Sequence, residues 1–272
     1  MLQGFLKSAD DTKIYLERDK VTAWPYLDRV YSTEYPQLRR AMREIFSEIF
    51  QYSNPDSLND IGCGNGWLTP VAKEYFPNVR VFDNDPRAIP HLNQIPDISV
   101  HELALNSKTT QIMRDADVLL FSHLFYYVPR SNWASIIESL TASRSRPNFL
   151  AFSLWSKDCE AFSIGCEESG TQLPCAEDLI EIIHKTGGEL RLVKSVDAKH
   201  FLELRDMDTL KTFLALDDKT PRAPDVRIRE NGGCLSFAAY RELDQLPAEV
   251  DCVIEQRDLI LLAQYPVHAN LH

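Results

Sequence analysis

Apolar residues recur at helical spacing along "YPQLRRAMREIFSEIFQY" (Tyr35 to Tyr52), where Leu38, Met42, Ile45, Phe46, Ile49 and Phe50 fall on one face. This pattern predicts an amphipathic helix, and the turn-forming run Asn54-Pro55-Asp56 ends it. Beyond that point the pattern changes to short, continuous apolar runs: "SLNDI", "VRVF" (Val79 to Phe82), "ISVHELAL" (Ile98 to Leu105), "ADVLLF" (Ala116 to Phe121) and "NFLAFSLW" (Asn148 to Trp155). Helical stretches lie between them, from about Leu68 to Tyr75 and around Ser131 to Ser143. Strands apolar on both faces and separated by helices are what a parallel sheet covered on both sides requires. The pattern therefore predicts a doubly wound α/β core.

Further on, "AEDLIEIIHKTGG" places Leu179, Ile180, Ile183 and His184 on one helical face before two glycines. "ELRLVKSV" and "RDLILLAQ" (Arg257 to Gln264) read as two late strands, separated by helical "MDTLKTFLAL" and "CLSFAAYREL". The Pro- and Arg-rich "DDKTPRAPDVRIRENGG" reads as a loop. No internal repeat interrupts the alternation.

Composition narrows the class. A hydrophobic fraction of 44% and a charged fraction of 25% are those of a folded globular chain, and 272 residues suffice for one large core with insertions. No apolar run approaches the ~20 residues of a membrane span. The start, "MLQGFLKSADDTKIYLERDK", lacks the pattern of a secretory signal, so a cytoplasmic protein with no membrane partner is expected. The six cysteines, Cys63, Cys159, Cys166, Cys175, Cys234 and Cys252, form no C-x-x-C pair; they read as reduced thiols without a metal site. A net charge of −11 opposes binding to a phosphate backbone, so no nucleic acid partner is expected. The same charge weakly favours a cationic or neutral small molecule.

Candidate chemistry begins at "NDIGCGNGW" (Asn59 to Trp67), a glycine loop directly after a strand. Glycines there let backbone approach a ligand at the carboxyl end of a sheet. The dinucleotide fingerprint fails because the third glycine position is Trp67, and no Gly-Lys-Ser/Thr follows to make a phosphate loop. Asp60, two positions before Gly62, repels a polyphosphate and attracts an ammonium. Asp83 ends the second strand, where a carboxylate can accept from both hydroxyls of a ribose.

At Asp60, Gly62, Gly64, Gly66 and Asp83 the chain resembles the class I S-adenosylmethionine-dependent methyltransferases. Their first motif is acid-x-G-x-G-x-G after strand one, and their second is an acid ending strand two. The resemblance implies S-adenosylmethionine as cofactor and a mostly parallel, seven-stranded, Rossmann-like sheet whose last strand is antiparallel. It also implies an N-terminal helical lid over residues 1–53 and a core over 54–272, with an insertion around 205–250. On this likeness Asp60, Gly62, Cys63, Gly64 and Gly66 hold the methionine end, and Asp83 and Asn84 hold the ribose. Many members carry an acid for the adenine amino group after strand three, but "HELALN" has Ala104 there, which leaves backbone N–H groups and the walls of Leu103 and Leu105. Ser122, at the carboxyl edge of the fourth strand, completes the cofactor set.

The segment "SHLFYYVPRSNW" after the fourth strand, with "SLW" after the fifth and the late "DTLKTFLALDD" and "LILLA" runs, is similar in plan to histamine N-methyltransferase-like small-molecule methyltransferases. That likeness implies His123 and Tyr127 as catalytic residues and Tyr126, Trp155, Phe162 and Gln256 around the acceptor. Trp24, Tyr26 and Tyr31, in the aromatic-rich "AWPYLDRVYSTEYP", join them as lid residues. A sulfonium methyl is already activated, so transfer needs chiefly an oriented, desolvated nucleophile, and aromatic faces attract cations. One of Tyr126 and Tyr127 is expected to face inward. His123 serves either as a general base or only as a hydrogen-bond partner, and the residues leave both open.

The expectation is a methyltransferase, monomeric or homodimeric, acting on a nitrogen of a small molecule. Methylation of oxygen or carbon is an alternative, as is intramolecular displacement releasing methylthioadenosine. A non-catalytic cofactor-binding partner is the rival from another class.

Overall fold

The computed structural model describes residues 31–32, 34–64, 66–86, 88–142, 148–202 and 252–265. The helices expected within 207–216 and 234–243, the loop between them, the insertion around 205–250 and residues 1–30 of the expected lid lie outside the described residues. The chain divides into two compact units: a larger one of Leu38–Lys157, Pro174–Val196 and Asp258–His272, and a smaller one of Met1–Gln37, Asp158–Leu173 and Asp197–Arg257.

The larger unit is entered through α1 (Glu34–Tyr52), whose apolar stripe is the one read from sequence. Leu38, Met42, Ile45, Phe46 and Ile49 on it are fully buried, each worth roughly 1.5–3 kcal/mol of transfer free energy. The stripe packs on α2 (Thr69–Tyr75), where the Phe46 ring meets Phe76 edge-on at 5.2 Å. Arg43 clamps Glu74 at 2.6 Å on the exposed flank.

Five strands form the parallel body of the sheet: β2 (Ser57–Ile61), β3 (Asn78–Asp83), β4 (Ser99–Glu102), β5 (Val118–Ser122) and β6 (Phe149–Trp155). The two-residue β1 (Tyr31–Ser32) precedes them, and the long β7 (Glu189–Leu202) and β8 (Cys252–Gln264) follow. Across the larger unit the order is β4-β3-β2-β5-β6-β8-β7. β2 runs parallel to both β3 and β5, β5 runs parallel to β6, and β8 is antiparallel to β6 from Phe149↔Gln264 to Trp155↔Asp258. The seven strands and the final antiparallel one are those expected. Every residue of β6 is buried, which explains the unbroken apolar run that announced it.

Short helices cover the sheet: α3 (Ile89–Leu92), α4 (Thr110–Met113), α5 (Trp133–Thr141) and α7 (Ala176–Lys185). Trp133, Ile137, Leu140, Leu179 and Ile183 share one buried cluster with Phe121, Phe125 and Phe152. The buried indole of Trp133 donates to Val128 O at 2.9 Å, so its N–H is not stranded in the core. At the opposite edge of the strands, Asp117 accepts from the N–H groups of Asp56 and Ser57 and from the Ser57 hydroxyl, at 3.0, 3.1 and 2.8 Å. This one carboxylate fixes the start of β2 against β5.

In the smaller unit, β1 pairs antiparallel with the end of β7 at Tyr31↔Phe201 and Ser32↔His200. The helix α6 (Glu160–Ser169) ends on Gly170 in a left-handed turn. Phe162 on α6 and Gln256 on β8 are both buried in this unit. No described helix is long and apolar enough to cross a membrane, and among the described residues Cys63, Cys159, Cys166 and Cys175 are not in disulfides.

Candidate active site

From β2 the chain moves outward in one direction through β3 and β4, and in the other through β5 and β6. The carboxyl ends of β2 and β5 therefore flank the switch point where open α/β sheets bind ligands. The glycine loop leaves β2 there, and His123 leaves β5.

The loop's sequence is dictated by its backbone. Gly62, Gly64 and Gly66 all adopt left-handed φ, at 69°, 54° and 72°, a region that other residues occupy at a cost. Gly62 has a second reason to lack a side chain: a Cβ there would lie 2.5 Å from a Leu124 methyl. The loop is tied back to β3, with Gly62 N–H donating to Phe82 O at 2.7 Å and Gly64 N–H to Asp83 Oδ2 at 2.7 Å. Arg39, buried on α1, donates from Nε to Trp67 O at 3.1 Å and secures the loop's far end.

Beneath the loop lies Asp60, only 2% exposed. Its Oδ2 accepts from the Thr69 hydroxyl at 3.0 Å, while Oδ1 has no hydrogen-bond partner among the described residues. Burial pushes its carboxyl up to about 7; the Thr69 hydrogen bond opposes that rise and nearby Asp83 adds to it. Burial likewise raises the Asp83 carboxyl, against the pull of backbone N–H donors led by Asp85. The Cys63 thiol is raised by burial and then by Asp60 and Asp83, which makes it a poor nucleophile.

These groups fit the methionine and ribose ends of S-adenosylmethionine. A buried carboxylate oxygen without a partner calls for a cationic donor, which an α-ammonium supplies. Asp83 Oδ1 and Oδ2 take one backbone N–H each from Asp85 and Gly64, at 2.8 and 2.7 Å, and a carboxylate has about four acceptor sites. Acceptor capacity for two hydroxyls therefore remains. Asn84 beside it is exposed, and Leu103 and Leu105 are half-buried against the core.

On the β5 side, Ser122 is half-buried opposite Ser153 of β6. His123 follows with φ of 53°, a left-handed conformation costing a non-glycine residue on the order of 1 kcal/mol, and its N–H donates to Ser153 O at 2.9 Å. A 3-10 turn over Phe125–Tyr127 then sends successive aromatics in different directions. Phe125 is buried in the core and Tyr127 is turned outward, 48% exposed. Tyr126 lies between His123 and Trp155, with ring centroids 5.8 and 4.8 Å away. The Trp155 backbone N–H donates to the Tyr126 hydroxyl.

The structure thus brings together His123, Tyr126 and Trp155 on one side and Asp60, Gly62, Cys63, Gly64, Gly66 and Asp83 on the other. Phe162 and Gln256 belong to the smaller unit. Tyr31 is described only by its backbone in β1, and Trp24 and Tyr26 lie outside the described residues. Sequence reasoning missed Thr69, Arg39, Leu124 and Asp258. Asp258 is fully buried, with Oδ1 3.9 Å from His123 Nε2, and its signal was an acid directly before the apolar run "LILLA".

No family model matches the chain, and no curated protein matches it. Solved structures do resemble it. A protein of Bacillus halodurans described as a methyltransferase aligns over 82% of this chain and 99% of its own, with a TM-score of 0.51 at 10% identity. The N-methyltransferase NodS of Bradyrhizobium japonicum, solved with S-adenosylhomocysteine, aligns over 93% of this chain and 98% of its own at 14% identity, with a TM-score of 0.49. Magnesium protoporphyrin IX methyltransferase of Synechocystis, also with S-adenosylhomocysteine, aligns over 85% and 84% at 11% identity, with a TM-score of 0.48. The first of these likenesses, read with the strand order and the closing antiparallel strand, establishes that the chain has the methyltransferase Rossmann-like fold.

Proposed function

We propose that the chain is an S-adenosylmethionine-dependent methyltransferase that transfers the methyl group to a nitrogen of a small molecule. The observation that carries this reading is Asp60, a carboxylate 2% exposed with one oxygen lacking a hydrogen-bond partner, set beneath a loop of three left-handed glycines. Asp60 receives the cofactor's ammonium and Asp83 the ribose hydroxyls, while Leu103 and Leu105 supply apolar surface for the adenine. When bound, S-adenosylmethionine supplies a methyl carbon that leaves with the bonding pair retained on sulfur, so the acceptor's lone pair makes the new bond and the acceptor sheds one proton.

The chain's own task is then to orient and desolvate the acceptor. Tyr126 and Trp155, with ring centroids 4.8 Å apart and planes tilted by 35°, offer an aromatic wall to the positive charge that develops on the amine nitrogen as the methyl arrives, worth about 0.5–2 kcal/mol by cation–π attraction. His123, next to that wall, is placed to accept the proton. The net charge of −11 favours an amine over an acid as the acceptor.

Incubation with S-adenosylmethionine and a panel of amines, phenols and carboxylic acids tests this directly. Mass spectrometry should find S-adenosylhomocysteine and a methylated amine in equal amounts. Methylation confined to phenols would overturn the nitrogen assignment. Release of methylthioadenosine in place of S-adenosylhomocysteine would replace transfer by intramolecular displacement.

A further inference from the structure

Asp258 contrasts with its neighbours on β8. Ile260, Leu261, Leu262 and Ala263 are fully buried, as their apolar character demands, and Asp258 is an acid with no exposed surface among them. Taking a carboxylate out of water is costly unless charges or hydrogen bonds compensate, so what faces this acid matters. The antiparallel register sets it opposite Trp155, and its Oδ1 lies 3.9 Å from Nε2 of His123. That separation exceeds a hydrogen bond, yet it couples charges strongly where one of them is buried.

His123 is constrained from several sides. Its N–H is held by Ser153 O, its φ is left-handed at 53°, and the Tyr126 ring lies 5.8 Å away. Its Nε2 is buried although the side chain as a whole is 21% exposed. One edge of the ring therefore faces the interior, towards Asp258.

We propose that Asp258 is a positioning residue for His123: its carboxylate keeps the imidazole proton on Nε2 and leaves the lone pair on Nδ1 to take the proton that the methyl acceptor sheds. The proposal rests on the methyl-transfer reading. The step balances: the acceptor nitrogen's lone pair forms the bond to carbon, sulfur keeps the pair of the broken bond, and the shed proton goes to Nδ1. The resulting imidazolium is stabilised by the buried negative charge, as a carboxylate behind a histidine does elsewhere.

Two measurements test it. Nitrogen NMR of the imidazoles in the free protein, with the His123 signals assigned through His123→Gln, should show one tautomer, protonated at Nε2. Asp258→Leu, close in volume and without charge, should move both signals toward those of an unconstrained imidazole. A double-mutant cycle follows, on the amine turned over fastest in the acceptor panel. His123→Gln should lower kcat about 100-fold, and Asp258→Leu about ten- to hundredfold with KM within about twofold. In the His123→Gln background, Asp258→Leu should cost nothing further.

Equal losses in both backgrounds would assign Asp258 to folding alone and overturn the proposal. So would a wild-type imidazole protonated on Nδ1, or imidazole signals indifferent to the substitution. If Asp258→Leu does not fold, Asp258→Asn takes its place in the cycle with the same criterion, and the wild-type spectrum still decides the tautomer. Failure to methylate any acceptor overturns the functional reading instead. The two failures are distinguishable, because the imidazole spectrum requires neither cofactor nor acceptor.

Discussion

Asp60 is held in a state that suits a ligand better than it suits the free protein. Its carboxyl is pushed up to about 7, first by burial, so in the folded chain the proton leaves some three pH units above the usual carboxylate range near ~3.9. The sign follows from linkage: between about pH 4 and pH 7 the folded state binds more protons than the unfolded one, so this group's contribution to stability falls as pH rises through that window. Asp60→Asn removes the ionisation, and the free variant should melt above the wild type at pH 8, with the gap closing as pH falls toward the unfolded-state pKa of ~3.9. Binding of an ammonium-bearing ligand runs the other way, because it requires the ionised form. Calorimetry should show the affinity for S-adenosylhomocysteine rising about tenfold from pH 6 to pH 7.5, and a flat profile in Asp60→Asn would identify the group.

At the scale of elements, the carboxylate of Asp117 illustrates how the sheet is registered. It accepts from two backbone N–H groups and one hydroxyl at the start of β2. Asp117→Ala leaves those donors unpaired in a half-buried setting and should cost about 2–4 kcal/mol, read as a lowered midpoint in urea with an unchanged slope. The central strands were legible because residues such as Phe149 to Trp155 are buried on both faces and so read as unbroken apolar runs. The late strands were read too short. β7 continues to Leu202 and β8 begins at Cys252, through charged residues that are satisfied by one another: Asp197 by Arg257 at 2.6 Å and Lys199 by Glu255 at 3.5 Å. Such cross-strand pairs join residues far apart in sequence, beyond any local pattern. The same limit hid Asp258 behind His123. The glycine loop was legible because left-handed φ at Gly62, Gly64 and Gly66 leaves little choice of residue, a constraint written locally in the sequence.

For the whole molecule, the proposed function comes down to one claim: that the crevice beyond β2 binds S-adenosylmethionine. Asp83 carries the most discriminating part of that claim, since two charge-assisted hydrogen bonds to ribose hydroxyls are worth about 1.5–3 kcal/mol each. Titration of S-adenosylhomocysteine into the wild type and Asp83→Ala, each checked for folding by its melting curve, measures this directly. The account predicts saturable binding to the wild type and a loss of at least about a hundredfold in Asp83→Ala. Absence of binding to the wild type, or equal affinity in the folded variant, would contradict it.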